Sequence, residues 1–163
     1  MASRQTDLET VTSLARPIVE RVVWCTVATA GADGVPRTRL MHPVWWWDGE
    51  VPHGLVTARP TPTKVAHFGV NPVASCFYWD PAHDTVAIDV EAHWLPAEER
   101  PAAWASISAV APPVGFDPAM IWPDGPLSED CGFLRFRATR IVVGPVGGES
   151  LRWRSPSLGS TAW

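Results

Sequence analysis

Hydrophobic residues recur along this chain with two different periods. Leu8, Val11, Leu14, Ala15, Ile18 and Val19 follow one another in steps of three and four. That spacing puts one apolar stripe on an amphipathic helix over 8–21, with Thr6 or Asp7 to cap it. Pro17 has no N–H to give and its ring crowds the preceding turn, so a kink or a division is expected there. Beyond the helix, β-branched and aromatic runs alternate with turn residues. Residues 22–29, 35–47 and 51–58 read as three strands. Gly31-Ala32-Asp33-Gly34 and Asp48-Gly49 supply the turns, which makes an antiparallel meander. Residues 73–79 and 85–95 read as a fourth and a fifth strand. In the fifth, Val86, Ile88, Val90 and Ala92 alternate with Asp89, Glu91 and His93. A sixth strand covers 133–143 and a short last one 150–154. Between them the pattern predicts a short helix over 63–69, ended by Asn71-Pro72, and a helix over 96–110 with proline in its first turn. Residues 111–130, rich in Pro, Gly and Asp, form a long loop with a short helix near 118–122. Loops of that length are often functional. Six or seven strands with few helices predict a small antiparallel β-barrel.

Composition narrows the class. The 163 residues fit one domain, taken as 1–163 with a loose tail over 155–163. The net charge of −4 comes without any block of like charge, which argues against nucleic acid and anionic membrane as partners. No apolar run reaches the length of a bilayer span. Residues 1–7 lack the basic start and apolar stretch of a signal peptide, so the reading places the chain in the cytoplasm. Cys25, Cys76 and Cys131 are odd in number, far apart and without metal-ligand spacing, and read as small buried hydrophobes. The chain holds ten Trp against one Tyr. Three of the Trp, Trp45-Trp46-Trp47, share one strand and must alternate between its faces. At least one therefore meets a partner subunit or an adjoining helix.

Two segments carry candidate chemistry. In Arg37-Thr38-Arg39-Leu40-Met41-His42, strand alternation sets Arg37 and Arg39 on one face. Two guanidinium groups so placed repel each other unless an anion lies between them, and phosphate matches their planar donors. A solvent-exposed face paired with nearby acids fits the same pattern. In Thr57-Ala58-Arg59-Pro60-Thr61-Pro62-Thr63-Lys64, a strand leads through a stiff loop into a helix with Lys in its first turn. That end of a helix is already positive, so a lysine there conflicts with the dipole. A bound phosphate would use both charges. An incidental surface lysine is the plainer alternative. His53, His67, His83 and His93 read as surface or packing residues, and Asp89 and Glu91 as solvent-facing. No GxSxG context supports a catalytic triad.

The order of these motifs resembles the flavin-binding split β-barrels related to pyridoxamine 5′-phosphate oxidase and general stress protein 26. The matching residues are 37–42, then Val56-Thr57, then Thr63-Lys64 and Asn71-Pro72, with 73–79 as the next strand and 133–143 and Arg152-Trp153-Arg154 as closing strands. The resemblance implies a mainly β fold with flanking helices, a six- to seven-stranded antiparallel split barrel. It implies FMN as cofactor, held between two copies of the chain in a homodimer. Coenzyme F420 in the same groove is the alternative, as is a flavin- or haem-binding protein without turnover. The implied cofactor-binding residues are Arg37, Thr38, Arg39, Leu40, Met41, His42, Val56, Thr57, Ala58, Arg59, Thr63, Lys64, Trp79, Trp153 and Arg154. Arg37, Arg39, Thr57, Thr63 and Lys64 would hold the phosphate and ribityl chain. Backbone groups of 40–42 and 56–58 would border the ring, and Trp79 or Trp153 would come from the second subunit. The implied activity is oxidoreduction of a small molecule by hydride transfer at flavin N5.

Overall fold

A computed structural model of the chain describes residues 3–156. Of the expected tail, residues 157–163 lie outside the described residues. Ser155, its first residue, is buried, and its N–H donates to the Thr139 carbonyl.

Helix α1 (Leu8–Val22) starts where the Asp7 carboxylate accepts from the Thr10 N–H at 2.8 Å. It buries Val11, Ala15, Ile18 and Val19 of the expected stripe, with Leu8 partly buried beside them and Leu14 exposed. Pro17 does not divide it; the helix runs on to Val22. Pro17 is exposed, so the carbonyl that it leaves without a donor faces water. Two more helices follow, α2 (Pro62–Val70) and α3 (Arg100–Ser108), the latter after a 3-10 turn at Ala97–Glu99.

Among the described residues nine strands form one sheet. They are β1 (Arg4–Gln5), β2 (Cys25–Ala30), β3 (Pro36–Met41), β4 (Val44–Trp46), β5 (His53–Ala58), β6 (Val73–Trp79), β7 (Thr85–Trp94), β8 (Gly132–Gly144) and β9 (Leu151–Arg154). The order is β1-β9-β8-β7-β6-β2-β3, with β5 also on β8 and β4 on β5. All pairs are antiparallel except β1 with β9, a short parallel pair that the pattern does not reveal.

The single strand expected over 35–47 is two strands. The β2–β3 ladder runs from Ala30 opposite Pro36 to Cys25 opposite Met41. The β4–β5 ladder begins at Val44 opposite Leu55. His42 and Pro43 stand between the two, and Pro43 has no N–H for either ladder. The chain therefore leaves one pairing for another at this point. The outer edge of β3, and the edge of β5 at residues 56–58 that faces away from β8, are left without a strand partner. The sheet curls but does not close.

Strand β8 is the backbone of the fold. Its first half pairs with β5 and its second with β9, while β7 runs beside both. The register slips between Asp89 and Val90, leaving Thr139 unpaired; the Thr139 hydroxyl donates to the Asp89 carbonyl at 3.0 Å. Such a bulge bends the strand and lets it serve both halves. Phe133, Leu134, Phe136, Ala138 and Ile141 on β8 are fully buried. Each large one contributes about 1.5–3 kcal/mol. The main core inside the curl takes Val27, Tyr78, Ile88, Phe136, Trp45 and Trp47. A second core takes Val44, Leu55, Ile107, Trp122, Cys131 and Phe133, with Trp46 packed against it. The Trp45-Trp46-Trp47 triplet is thus divided between two cores of its own chain, and the Trp46 ring stacks on His53 with centroids 5.5 Å apart. Residues 111–130 close this second core through Val114, Phe116 and Trp122, with a 3-10 turn at Pro118–Met120.

Candidate functional site

Strand alternation decides where the arginines go. In β3, Thr38 and Leu40 point outward, while Arg37 and Arg39 share the inner face with the buried Met41. Arg37 lies opposite Thr29 and Arg39 opposite Val27 on β2. Helix α2 crosses this end of the sheet and buries His67 and Phe68. Arg39 Nη1 donates to Thr29 Oγ1 at 2.8 Å, and the same oxygen lies 2.9 Å from His67 Nδ1. Arg37 Nη1 lies 3.3 Å from His67 Nε2, and Arg37 Nη2 pairs with Asp33 at 2.9 Å. Arg37 thus has its acid, as the plainer reading of the sequence required. Arg39 does not.

Lys64 completes a cationic group. Its ammonium donates to the Arg59 carbonyl at 2.8 Å. Burial first, then the charges of Arg39 and Arg59, hold its pKa below the ordinary lysine value. Arg39 is likewise lowered, by burial and then by Arg37. The Arg59 guanidinium reaches Asp130 at 2.9 Å. Among the described residues, neither Arg39 nor Lys64 has a carboxylate partner. The start of α2 adds to the positive field. Thr61 makes no side-chain cap bond there, and the first turn holds no acid. Beside it, a cleft of about 400 Å³ is lined by Gly31, Ala32, Asp33, Arg37, Thr63, Ala66, His67 and Val70. The donor set fits a phosphate monoester. It combines Arg39 and Lys64, which stand near the start of α2 outside the cleft lining, with that helix N-terminus and the Thr63 of the cleft wall.

The remaining candidates take different places. Val56 and Ala58 turn their side chains into the main core, so only their backbone is available, while Thr57 is half-buried. Leu40 is 70% exposed. His42 is half-buried and donates Nε2–H to the Val114 carbonyl at 2.8 Å. Its ring lies 5.1 Å from Trp24 and 4.8 Å from Phe116. Burial lowers its pKa, with the Val114 carbonyl opposing, which favours the neutral ring. Trp79 is exposed on the outer face of β6. Trp153 is a main-core residue, and Arg154 is exposed beside it on β9, far from β3 in strand order. The structure therefore gathers Arg37, Arg39, Arg59, Thr63 and Lys64, and sets Trp79, Trp153 and Arg154 apart from them. Thr29 and His67 are the residues that sequence reasoning missed. The spacing of Thr63 and His67, four apart on one helix face, was the available signal for His67. Thr29 has no local signal, because only the β2–β3 register sets it against Arg37.

No family model and no curated protein matches the chain. Solved structures do. A protein related to general stress protein 26, of the pyridoxinephosphate oxidase family, from Clostridium acetobutylicum superposes with a TM-score of 0.72. It is 14% identical, over 91% of this chain and 96% of that one. The fold is the pyridoxamine-phosphate-oxidase-like split barrel. A pyridoxamine 5′-phosphate oxidase-related, FMN-binding protein from Nostoc punctiforme aligns at 13% identity and TM-score 0.59, over 89% of this chain and 85% of that one. A heme-binding protein from Mycobacterium smegmatis aligns at 16% identity and TM-score 0.66, over 89% of this chain and 58% of that one. In this fold β3 and residues 56–58 each keep one edge without a strand partner, and Arg39 lies on β3.

Proposed function

We propose that this split barrel is an FMN-dependent oxidoreductase of a small molecule, working as a homodimer with the cofactor in the split. The observation that carries the reading is the pair Arg39 and Lys64, two partly desolvated cations with no carboxylate on either among the described residues. A phosphate monoester relieves their repulsion and uses both. Arg39, Lys64, Thr57 and Thr63 hold the phosphate and the ribityl chain. The edges of residues 40–42 and 56–58 that carry no strand border the ring, over a floor made apolar by Met41 and Val56. The flavin, when bound, supplies hydride transfer at N5; the protein binds, orients and keeps water from one side.

The outer face of the sheet supports a second copy. Thr26 faces outward between Leu40 and Phe77 in register. Around it Leu40 is 70%, Trp79 58%, Val73 48% and Phe77 45% exposed. An apolar patch of this kind on β3, β2 and β6 is a surface that a partner covers.

The test is the absorption spectrum of freshly purified protein, with the mass of whatever heat releases, and light scattering for the oligomer. A two-banded flavin spectrum, the mass of FMN and a dimer support the proposal. Reduction of that flavoprotein by NAD(P)H or by a small-molecule substrate completes it. A single deazaflavin band moves the cofactor to coenzyme F420, and a Soret band moves it to haem, the ligand named for the similar M. smegmatis structure. A colourless protein that refuses added FMN and F420 removes the basis for an oxidoreductase.

A further inference from the structure

The two arginines of β3 are not equivalent, and the hydrogen bonds between them say why. Arginine has donors only. The Arg37 Nη1–H therefore gives its proton to His67 Nε2, at 3.3 Å. In the neutral ring the remaining proton then sits on Nδ1, which donates to Thr29 Oγ1 at 2.9 Å. Arg39 Nη1 donates to that same oxygen at 2.8 Å. Both lone pairs of the Thr29 hydroxyl are then in use, and no described residue accepts its own proton. Thr29 is 2% and His67 5% exposed, so both are largely withdrawn from water and depend on these partners. Asp33 closes the far end of the chain by pairing with Arg37. A hydrogen-bonded line thus runs Asp33, Arg37, His67, Thr29, Arg39. One end is neutralised and the other is not.

The line depends on one glycine. A Cβ at Gly31 would lie 2.8 Å from His67 Cδ2 and 2.9 Å from Nε2. The absence of a side chain at position 31 is what admits the imidazole.

We infer that Thr29 and His67 are positioning residues that hold the Arg39 guanidinium in place for an anionic phosphate ester, with Arg37, its charge matched by Asp33 on the cleft wall, fixing the histidine tautomer and contributing less than Arg39 to binding the anion. The inference rests on the FMN reading above and assigns the pair Arg37 and Arg39 separate roles within it. Preorganisation is the physical gain. A guanidinium already locked by a buried acceptor loses less rotamer freedom when the anion arrives.

The test compares FMN with riboflavin, which lacks the phosphate, on full-length apoprotein by flavin fluorescence quenching. Circular dichroism and urea midpoints check the fold of each variant. Wild type should prefer FMN. Thr29→Val should weaken FMN by roughly ten-fold, the loss of one hydrogen bond to a charged group, and leave riboflavin unchanged. Thr29→Ser should restore FMN affinity. Gly31→Ala, which removes no polar group, should weaken FMN in the same selective way. Arg39→Ala should cost FMN affinity more than Arg37→Ala. If wild type prefers FMN while Thr29→Val and Gly31→Ala bind it unchanged, or lose FMN and riboflavin equally, the positioning role is wrong and the phosphate site stands. If wild type binds both flavins equally or neither, the phosphate site fails and the positioning role falls with it.

Discussion

Tyr78→Phe should destabilise this protein chiefly by orphaning one buried hydrogen-bond donor. The Tyr78 hydroxyl accepts from the Trp45 indole N–H at 2.8 Å. Tyr78 is 0% and Trp45 6% exposed, so water does not replace the oxygen. The phenyl ring stays, and with it the apolar contacts to the core, so area burial contributes almost nothing to the change. What remains is a buried indole donor without an acceptor, which costs about 1–3 kcal/mol. For a domain of this size that corresponds to a melting temperature lower by roughly 2–12 °C. Urea unfolding at one fixed protein concentration measures it. The midpoint should fall with the slope unchanged, because the surface exposed on unfolding is the same. In a Trp45→Phe background the same tyrosine change should cost clearly less, since no donor is left to orphan. A midpoint that does not move, or an equal cost in both backgrounds, would refute the assignment of this bond as a stabilising tie between β4 and β6.

Three further outcomes follow from the charges and thiols. Burial pushes the Cys131 thiol up to about 11, and Cys25 and Cys76 are also buried, so alkylation at pH 8 should label none of them until urea is added. Fast labelling of native protein would contradict their burial. Asp80 lies below its ordinary 3.8 because of the Ala82 N–H and Arg21, and Asp33 because of Arg37. A carboxyl lowered by folding stabilises above its unfolded pKa and stops doing so as pH falls past its folded one. Stability should therefore drop below about pH 3.8, and Asp80→Asn should flatten that drop in a pH series of urea midpoints. The Lys64 ammonium sits below its ordinary 10.5, so FMN affinity should weaken as pH rises toward that value while riboflavin affinity follows only its own ring. Lys64→Met should remove the difference between the two flavins in that range.

Much of the fold was legible because its elements are local. The stripe from Leu8 to Val19 and the alternation in β7 are periodicities that a helix and a strand must have to bury one face. Asp48-Gly49 lies between β4 and β5, and Asn71-Pro72 follows α2, as turn chemistry demands. Arg39 and Lys64 could be named from order alone, because each stands beside a recognisable break in the pattern. Other features were closed to local reading. Pro17 remained inside a helix because the face that it occupies is wet, and which face is wet depends on what α1 packs against. The second strand divided at His42-Pro43 because β4 found β5 while β3 kept β2, a competition among partners distant in sequence. Trp153 faces the main core of its own chain, since the strand beside it fixes its inward face, and no local pattern reveals that face. The sequence by itself determined most of the helices, strands and turns, though not β1 or the division of the strand over 35–47, and which residues carry charge. Only the tertiary structure decided that Arg37 is neutralised and Arg39 is not. Their difference comes from Asp33, Thr29 and His67, brought together by the β2–β3 register and by a helix laid across it, and no spacing along one chain encodes a contact made across three elements.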